Sequence, residues 1–118
     1  MTIEPPLDWT RFTSLADGDG GVADLIAFYV EYSATELQRL RSALASGSVC
    51  DVEAAAHRLA GSSATAGAMR VAAPLAQIEE AAHAGSLDEA EARLRQAEAA
   101  FADIREFLAS RLEEGTRP

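Results

Sequence analysis

Lysine is absent from this chain of 118 residues, and all ten of its basic residues are arginines. Nineteen acidic residues bring the formal net charge to −9 at pH 7. A chain this acidic is repelled by phosphate backbones and by anionic lipid surfaces. The composition therefore argues against nucleic-acid and membrane-surface partners.

Cysteine occurs once, at Cys50, so the chain can form no internal disulfide and has no paired-cysteine zinc motif. Cys50 precedes His57 by about 10 Å along a helix, too far to share a metal without a third element. We therefore expect no bound metal and interpret Cys50 as a small, half-buried filler. The first residues lack the pattern of a signal peptide, and no apolar run approaches the roughly 18 residues of a membrane span. We expect a cytoplasmic protein.

Aromatic residues are also few. The chain has seven of them against 26 alanines, while hydrophobic residues make up 48% of the sequence. Alanine favours helices and adds little bulk, so this composition predicts closely packed helices with few β-strands. The length suits one domain with a core of its own.

Apolar spacing and the glycines between apolar segments predict five helices. Their approximate bounds are 8–15, 22–45, 49–67, 72–84 and 87–113, after an extended lead-in at 1–6 and with a loop at 17–21. Nothing in the chain has the pattern of a strand. We predict one all-α domain over 1–118, an antiparallel four-helix bundle with a short additional N-terminal helix. We expect a monomer.

Three local sequence features indicate where these helices begin. Asp8 is placed to cap the first helix, and Ser48 with Asp51 has the spacing of a capping box before the third. Pro74 is expected in the first turn of the fourth helix, where proline is tolerated.

The second helix carries a second apolar stripe on its N-terminal half, formed by Leu25, Phe28 and Tyr32. Exposed apolar patches of this kind need a cover or a partner. Either the short first helix packs on this stripe, or the stripe docks a partner, and the two can share it.

His57 faces away from the buried stripe of the third helix. At 100° per residue it is rotated by about 100° from Ala56 and by about 160° from Leu59. Its neighbours on that face are small except for Glu53, and they include Gly61 one turn on. A glycine inside a helix costs about 1 kcal/mol relative to alanine. Gly61 either lets a partner's backbone approach the imidazole or permits close packing of two helices.

An exposed imidazole is largely neutral at pH 7, and its free nitrogen is a competent nucleophile without an adjacent base. The chain has no catalytic triad, paired carboxylates or phosphate-binding loop around it. The sequence therefore supplies a nucleophile without a complete catalytic site, and we expect no enzyme activity.

The residues around His57 resemble the signature of histidine-containing phosphotransfer (HPt) domains of multistep phosphorelays. That signature has a histidine, a hydrophobic residue two positions on, a glycine four on, small residues next and Gly-Ala at ten and eleven. The matching stretch is Ala56-His57-Arg58-Leu59-Ala60-Gly61-Ser62-Ser63-Ala64-Thr65-Ala66-Gly67-Ala68. The segments Leu75-Ala76-Gln77-Ile78-Glu79 and His83-Ala84-Gly85, the Leu7-Asp8-Trp9 opening and the helix order are similar to the family as well.

The resemblance implies that His57 accepts a phosphoryl group on Nε2 and passes it between aspartates of receiver domains in a bacterial-type phosphorelay. The partners it implies are response-regulator receiver domains and a hybrid histidine kinase; the receivers supply Mg²⁺, and the chain needs no cofactor. The implied docking face comprises Glu53, Ala54, Arg58, Ala60, Gly61 and Ala64. Many members carry a lysine three residues after the histidine, where this chain has Ala60. Arg58 or Arg70 could assist the phosphate instead.

Two alternatives stay open. The chain could be a helical module that docks a receiver or kinase without accepting phosphate, or, with less support, a helical enzyme or metal-binding bundle. Elsewhere, His83 is interpreted as a cation at the C-terminal end of the fourth helix, favoured by the helix dipole. Glu79 and Glu80 are expected to be solvated.

Overall fold

The computed structural model describes residues 5–16 and 21–116. Residues 1–4 of the predicted lead-in and 17–20 of the predicted loop lie outside this range. The described elements are α1 (Trp9–Thr13), α2 (Gly21–Ser46), α3 (Val49–Thr65), α4 (Met69–His83) and α5 (Leu87–Thr116). No strand occurs among them, and none of these helices is both long and apolar enough to cross a membrane.

The four long helices form the predicted antiparallel bundle, so the all-α fold class is confirmed. Each of α2, α3 and α4 packs on the helix that follows it in the chain, and α2 also packs on α5. Alanines occupy many of the buried positions, and their small side chains allow the helices to pack closely. The core includes Leu40, Leu59, Leu75, Ile78, Leu94, Ile104 and Leu108, all fully buried.

The short helix α1 closes one end of the bundle. Asp8 caps it as predicted, because its carboxylate accepts a hydrogen bond from the Arg11 backbone N–H at 3.1 Å. Phe12 is fully buried against the ring of Tyr29, and Trp9 packs edge-on against Phe107. The helix does not cover Phe28, which stays 66% exposed and stacks on Tyr32.

A turn built on Gly67 joins α3 to α4. The Gly67 N–H donates to the Ala64 carbonyl at 3.1 Å and the Ala68 N–H to the Ser63 carbonyl at 2.8 Å, which closes α3 in a Schellman motif. Gly67 has φ +83°, and the Asp8 N–H donates to its carbonyl. Gly67 therefore serves the fold, because it needs both this backbone conformation and room for the incoming N-terminal segment.

Two local expectations about helix starts are wrong. Since the Schellman turn is short, α4 already begins at Met69, and Pro74 lies in its second turn instead of its first. The missing N–H of Pro74 leaves the carbonyl of exposed Arg70 to water. Ser48 does occupy the N-cap position of α3, but its side chain makes no capping hydrogen bond.

Candidate functional site

His57 lies on the outer surface of α3. Ala56 and Leu59 are fully buried and fix the rotation of the helix about its axis. With the helix held in this rotation, the His57 side chain is 76% exposed, as the sequence predicts. The imidazole is therefore accessible to another macromolecule.

One nitrogen of this imidazole is bound. Nδ1 of His57 lies 3.1 Å and 3.2 Å from the two carboxylate oxygens of Glu79 on α4. An ionised carboxylate can only accept hydrogen bonds, so Nδ1 carries the proton and donates it. The lone pair of the neutral ring is then on Nε2. The arrangement makes Nε2 the nucleophilic atom.

The expectation that Glu79 is merely solvated is therefore wrong. Glu79 is half-buried between α3 and α4, and its carboxylate orients the histidine. The sequence places Glu79 22 residues from His57, and only the packing register of the two helices brings them together.

A strip of small residues surrounds the imidazole. Ala54 and Gly61 are exposed, and Ala60 and Ala64 are half-buried. A Cβ added at Gly61 would meet no atom within 4 Å beyond its own helix, so no neighbouring helix requires a glycine there. The structure thus gives no support to the reading in which Gly61 serves close packing of two helices.

Arg58 points to the other side of α3. Its Nη2 donates to Oε2 of Glu36 on α2 at 3.3 Å. Glu36 is only 4% exposed and also accepts a hydrogen bond from Arg39 at 3.2 Å. A buried carboxylate needs such partners, so Arg58 is engaged in the α2–α3 contact, on the opposite side of the helix from Glu79.

Arg70 lies at the start of α4, far along the bundle from His57. It lines a shallow groove with Pro5, Trp9 and Gly67, at the end of the molecule that α1 closes. Gly67, which lines the same groove as Arg70, follows His57 by ten residues. Ten residues correspond to a rise of about 15 Å along a helix, so this groove lies far from the imidazole. The structure brings His57, Glu53, Ala54, Ala60, Gly61 and Ala64 together on one surface and leaves Arg70 outside it.

His83 occupies the last turn of α4, as predicted, and has a partner that the sequence does not predict. Its Nδ1 lies 3.5 Å from Oε1 of Glu53 on α3. Cys50, expected to be half-buried, is exposed. Among the described residues, no three side chains of His, Cys, Asp or Glu converge into a set that could hold a metal ion.

Comparisons with known proteins agree on one family. A family model described as "Hpt domain" matches residues 24–113. The crystal structure of histidine-containing phosphotransfer protein B from Pseudomonas aeruginosa PAO1 is similar, with a TM-score of 0.82, 27% identity, and 93% of this chain and 96% of that chain covered. A histidine-containing phosphotransfer protein from maize has the same fold, with a TM-score of 0.80, 21% identity, and 96% and 88% covered. A search of curated proteins finds no match.

Proposed function

We propose that Nε2 of His57 is the atom that carries the phosphoryl group in this protein. The chain belongs to the family of Hpt domains and is a carrier of phosphoryl groups in a phosphorelay. One observation supports this proposal most directly. The Glu79 carboxylate binds Nδ1 at 3.1 Å while the ring is 76% exposed. The free nitrogen is thus both nucleophilic and accessible.

The transfer step needs no base on this chain. The Nε2 lone pair attacks the phosphorus of a receiver's aspartyl phosphate, the P–O bond to the aspartate breaks, and the aspartate leaves as a carboxylate. The proton on Nδ1 stays where it is, so the phosphorylated ring is a cation beside the Glu79 carboxylate. That charge pairing stabilises the product. In the second transfer, a carboxylate oxygen of another receiver's aspartate attacks the same phosphorus, the P–Nε2 bond breaks, and the neutral imidazole with its proton on Nδ1 is restored.

The docking face we propose is the strip of Glu53, Ala54, Ala60, Gly61 and Ala64 around the histidine, with Arg58 at its edge on the side of α2. Gly61 supports it best, since its helix position has open space above it. The exposed Phe28–Tyr32 stack lies on α2, the helix that Arg58 contacts through Glu36, and would extend the docking face with apolar area.

Neither of the two arginines expected to assist the phosphoryl group, Arg58 and Arg70, is free beside His57 in the part of the chain that the structure describes. Ala60 stands where many family members carry lysine, Arg58 is engaged by Glu36, and Arg70 lies at the far end of α3. We therefore expect the receiver and its Mg²⁺ to neutralise most of the charge during transfer. The carrier itself contributes the nucleophile and a surface of matching shape, which is consistent with a protein that is not an enzyme.

The partners that we propose are the receiver domains of response regulators and a hybrid histidine kinase, in a bacterial-type phosphorelay. We expect the exchange to take place in the cytoplasm with the carrier as a monomer.

The proposal is tested by incubating the protein with a phosphorylated receiver domain and Mg²⁺. We expect wild type to acquire a label that is stable in base and labile in acid, and His57→Gln to acquire none. His83→Gln is the matched control, because it removes the other exposed imidazole and should still be labelled. Equal labelling of His57→Gln and wild type would overturn the proposal.

A second candidate function is a module that docks a receiver without accepting phosphate. The engagement of Arg58 by Glu36 favours it, since this contact holds the arginine that follows His57 in the sequence away from a phosphoryl group. Stable binding of a receiver with no labelling of wild type would establish this alternative.

A further inference from the structure

The helices α3 and α4 carry the same short pattern. Glu53-Ala54-Ala55-Ala56-His57 on α3 corresponds to Glu79-Glu80-Ala81-Ala82-His83 on α4, so that each histidine follows a glutamate by four residues. The two helices pack against each other and run in opposite directions. The histidine of each helix contacts the glutamate of the other, at 3.1 Å for His57 with Glu79 and at 3.5 Å for His83 with Glu53.

The two glutamates and the two histidines alternate at the corners of a square. Two of its edges are the cross-helix pairs, and the other two join residues four apart on one helix, whose Cβ atoms lie about 5–6 Å from each other. Glu53 is therefore one turn from His57 on the face that would receive a phosphoryl group. Its carboxylate would repel the negative charge that arrives there.

We infer that His83 is a positioning residue for the phosphoryl site on His57. In its protonated form it pairs with Glu53, neutralises that carboxylate and so lowers the repulsion of the incoming group. The inference rests on the proposed function, in which His57 is the acceptor. His83 itself touches no reacting atom.

Acidic residues surround His83. Its own helix contributes Glu79 and Glu80, and α3 contributes Glu53 and His57. The first turn of α5 follows directly and contains Asp88 and Glu89. His83 also lies in the last turn of α4, where the helix dipole stabilises positive charge. Imidazoles in general change charge between pH 5 and 8, so the test compares the two ends of that range.

The test uses phosphoramidate, a small donor that phosphorylates imidazoles without a receiver. Four proteins are compared at pH 6.0 and pH 8.0 in low salt: wild type, His83→Gln, Glu53→Gln and the double variant. The initial rate of phosphoryl uptake at His57 is followed by mass spectrometry of the peptide that contains it. Arg95→Gln is the matched control, since it removes one cation from a surface ion pair with Glu91 on α5, away from the site.

At pH 6.0 we expect His83→Gln to take up phosphate about two- to fivefold more slowly than wild type, and the double variant to regain the wild-type rate. At pH 8.0, where imidazoles in general are mostly neutral, the difference between His83→Gln and wild type should be smaller than at pH 6.0, and Glu53→Gln should exceed both. Arg95→Gln should match wild type at both pH values.

Two results would overturn the inference. One is an unchanged rate in His83→Gln at pH 6.0, and the other is a double variant as slow as His83→Gln, which would indicate a merely structural role. Thermal unfolding of each variant identifies loss of folding. Failure of the proposed function is a separate observation, namely no transfer from a phosphorylated receiver while phosphoramidate still labels His57.

Discussion

Gly61 is the residue whose role is easiest to isolate. It is helical, and an added methyl group would meet nothing in the protein. We expect Gly61→Ala to raise the free energy of unfolding by about 0.5–1 kcal/mol, because alanine is the better helix former. The same methyl group should slow phosphoryl transfer from a receiver several-fold, because it occupies the space above the helix.

Urea unfolding and transfer kinetics on the same preparation measure these two effects. If Gly61→Ala is more stable and transfers as fast as wild type, the docking role of Gly61 is wrong.

The sequence predicts one property of His57, its exposure, but not its partner Glu79. The exposure of His57 could be predicted, because it depends only on the rotation of one helix whose buried stripe is clear. Its hydrogen bond to Glu79 could not, since that depends on how α3 and α4 are aligned along their axes. The repeated Glu-x-Ala-Ala-His pattern was the available signal for this alignment.

The turn between α3 and α4 sets the alignment of these two helices along their axes. Gly67 has φ +83°, and a Cβ there would lie 3.0 Å from Cβ and 3.1 Å from the carbonyl oxygen of Asp8. We expect Gly67→Ala to lower the free energy of unfolding by about 1–3 kcal/mol, because it adds both backbone strain and a steric contact.

Urea unfolding measures this loss, and Gly61→Ala is the control of opposite sign. A Gly67→Ala variant as stable as wild type would mean that Asp8 does not pack against Gly67 as the structure describes.

The start of α4 was predicted less well than its centre, and the reason is local. Pro74 is a strong signal for a helix start, since proline is favoured in a first turn. Here the Schellman turn at Gly67 begins the next helix early, and the exposed Arg70 carbonyl tolerates the missing donor. Helix bounds thus depended on backbone hydrogen bonds that the apolar pattern does not encode.

An ion-pair cluster joins α2 and α5 across the bundle. Arg41 donates to Glu98 at 2.7 Å and 2.9 Å and to Glu91 at 3.2 Å and 3.3 Å. The hydrogen bond from Arg41, more than any other contact, lowers the pKa of Glu91. A lowered pKa in the folded state means that this pair stabilises the fold above the ordinary carboxyl pKa and ceases to do so as the pH falls through the lowered value.

We therefore expect Glu91→Gln to be less stable than wild type at pH 7 by less than about 1 kcal/mol, since the pair is at the surface. The difference should shrink below about pH 4, where carboxylates become protonated. Thermal unfolding at low salt from pH 3 to 7 measures it, with the exposed Glu106→Gln as control. A difference that stays constant with pH would contradict the assignment.

The bundle as a whole was the most predictable feature. Long apolar stripes and abundant alanine specify closely packed helices, and the chain has few residues that favour strands. The acidic composition argues against nucleic acid as a partner class but does not predict which individual charges pair with each other. The pairs of His57 with Glu79 and of His83 with Glu53 are consequences of packing two such helices in opposite directions.

Glu79, we propose, holds the proton on Nδ1 of His57 and leaves Nε2 to carry the phosphoryl group. The long-range ¹H–¹⁵N spectrum of histidine-labelled protein, recorded before and after transfer from a phosphorylated receiver, tests this assignment. We predict an Nδ1–H tautomer for His57 before transfer and a phosphoryl group on its Nε2 afterwards. A phosphoryl group on Nδ1 of His57, or on His83, would contradict the claim.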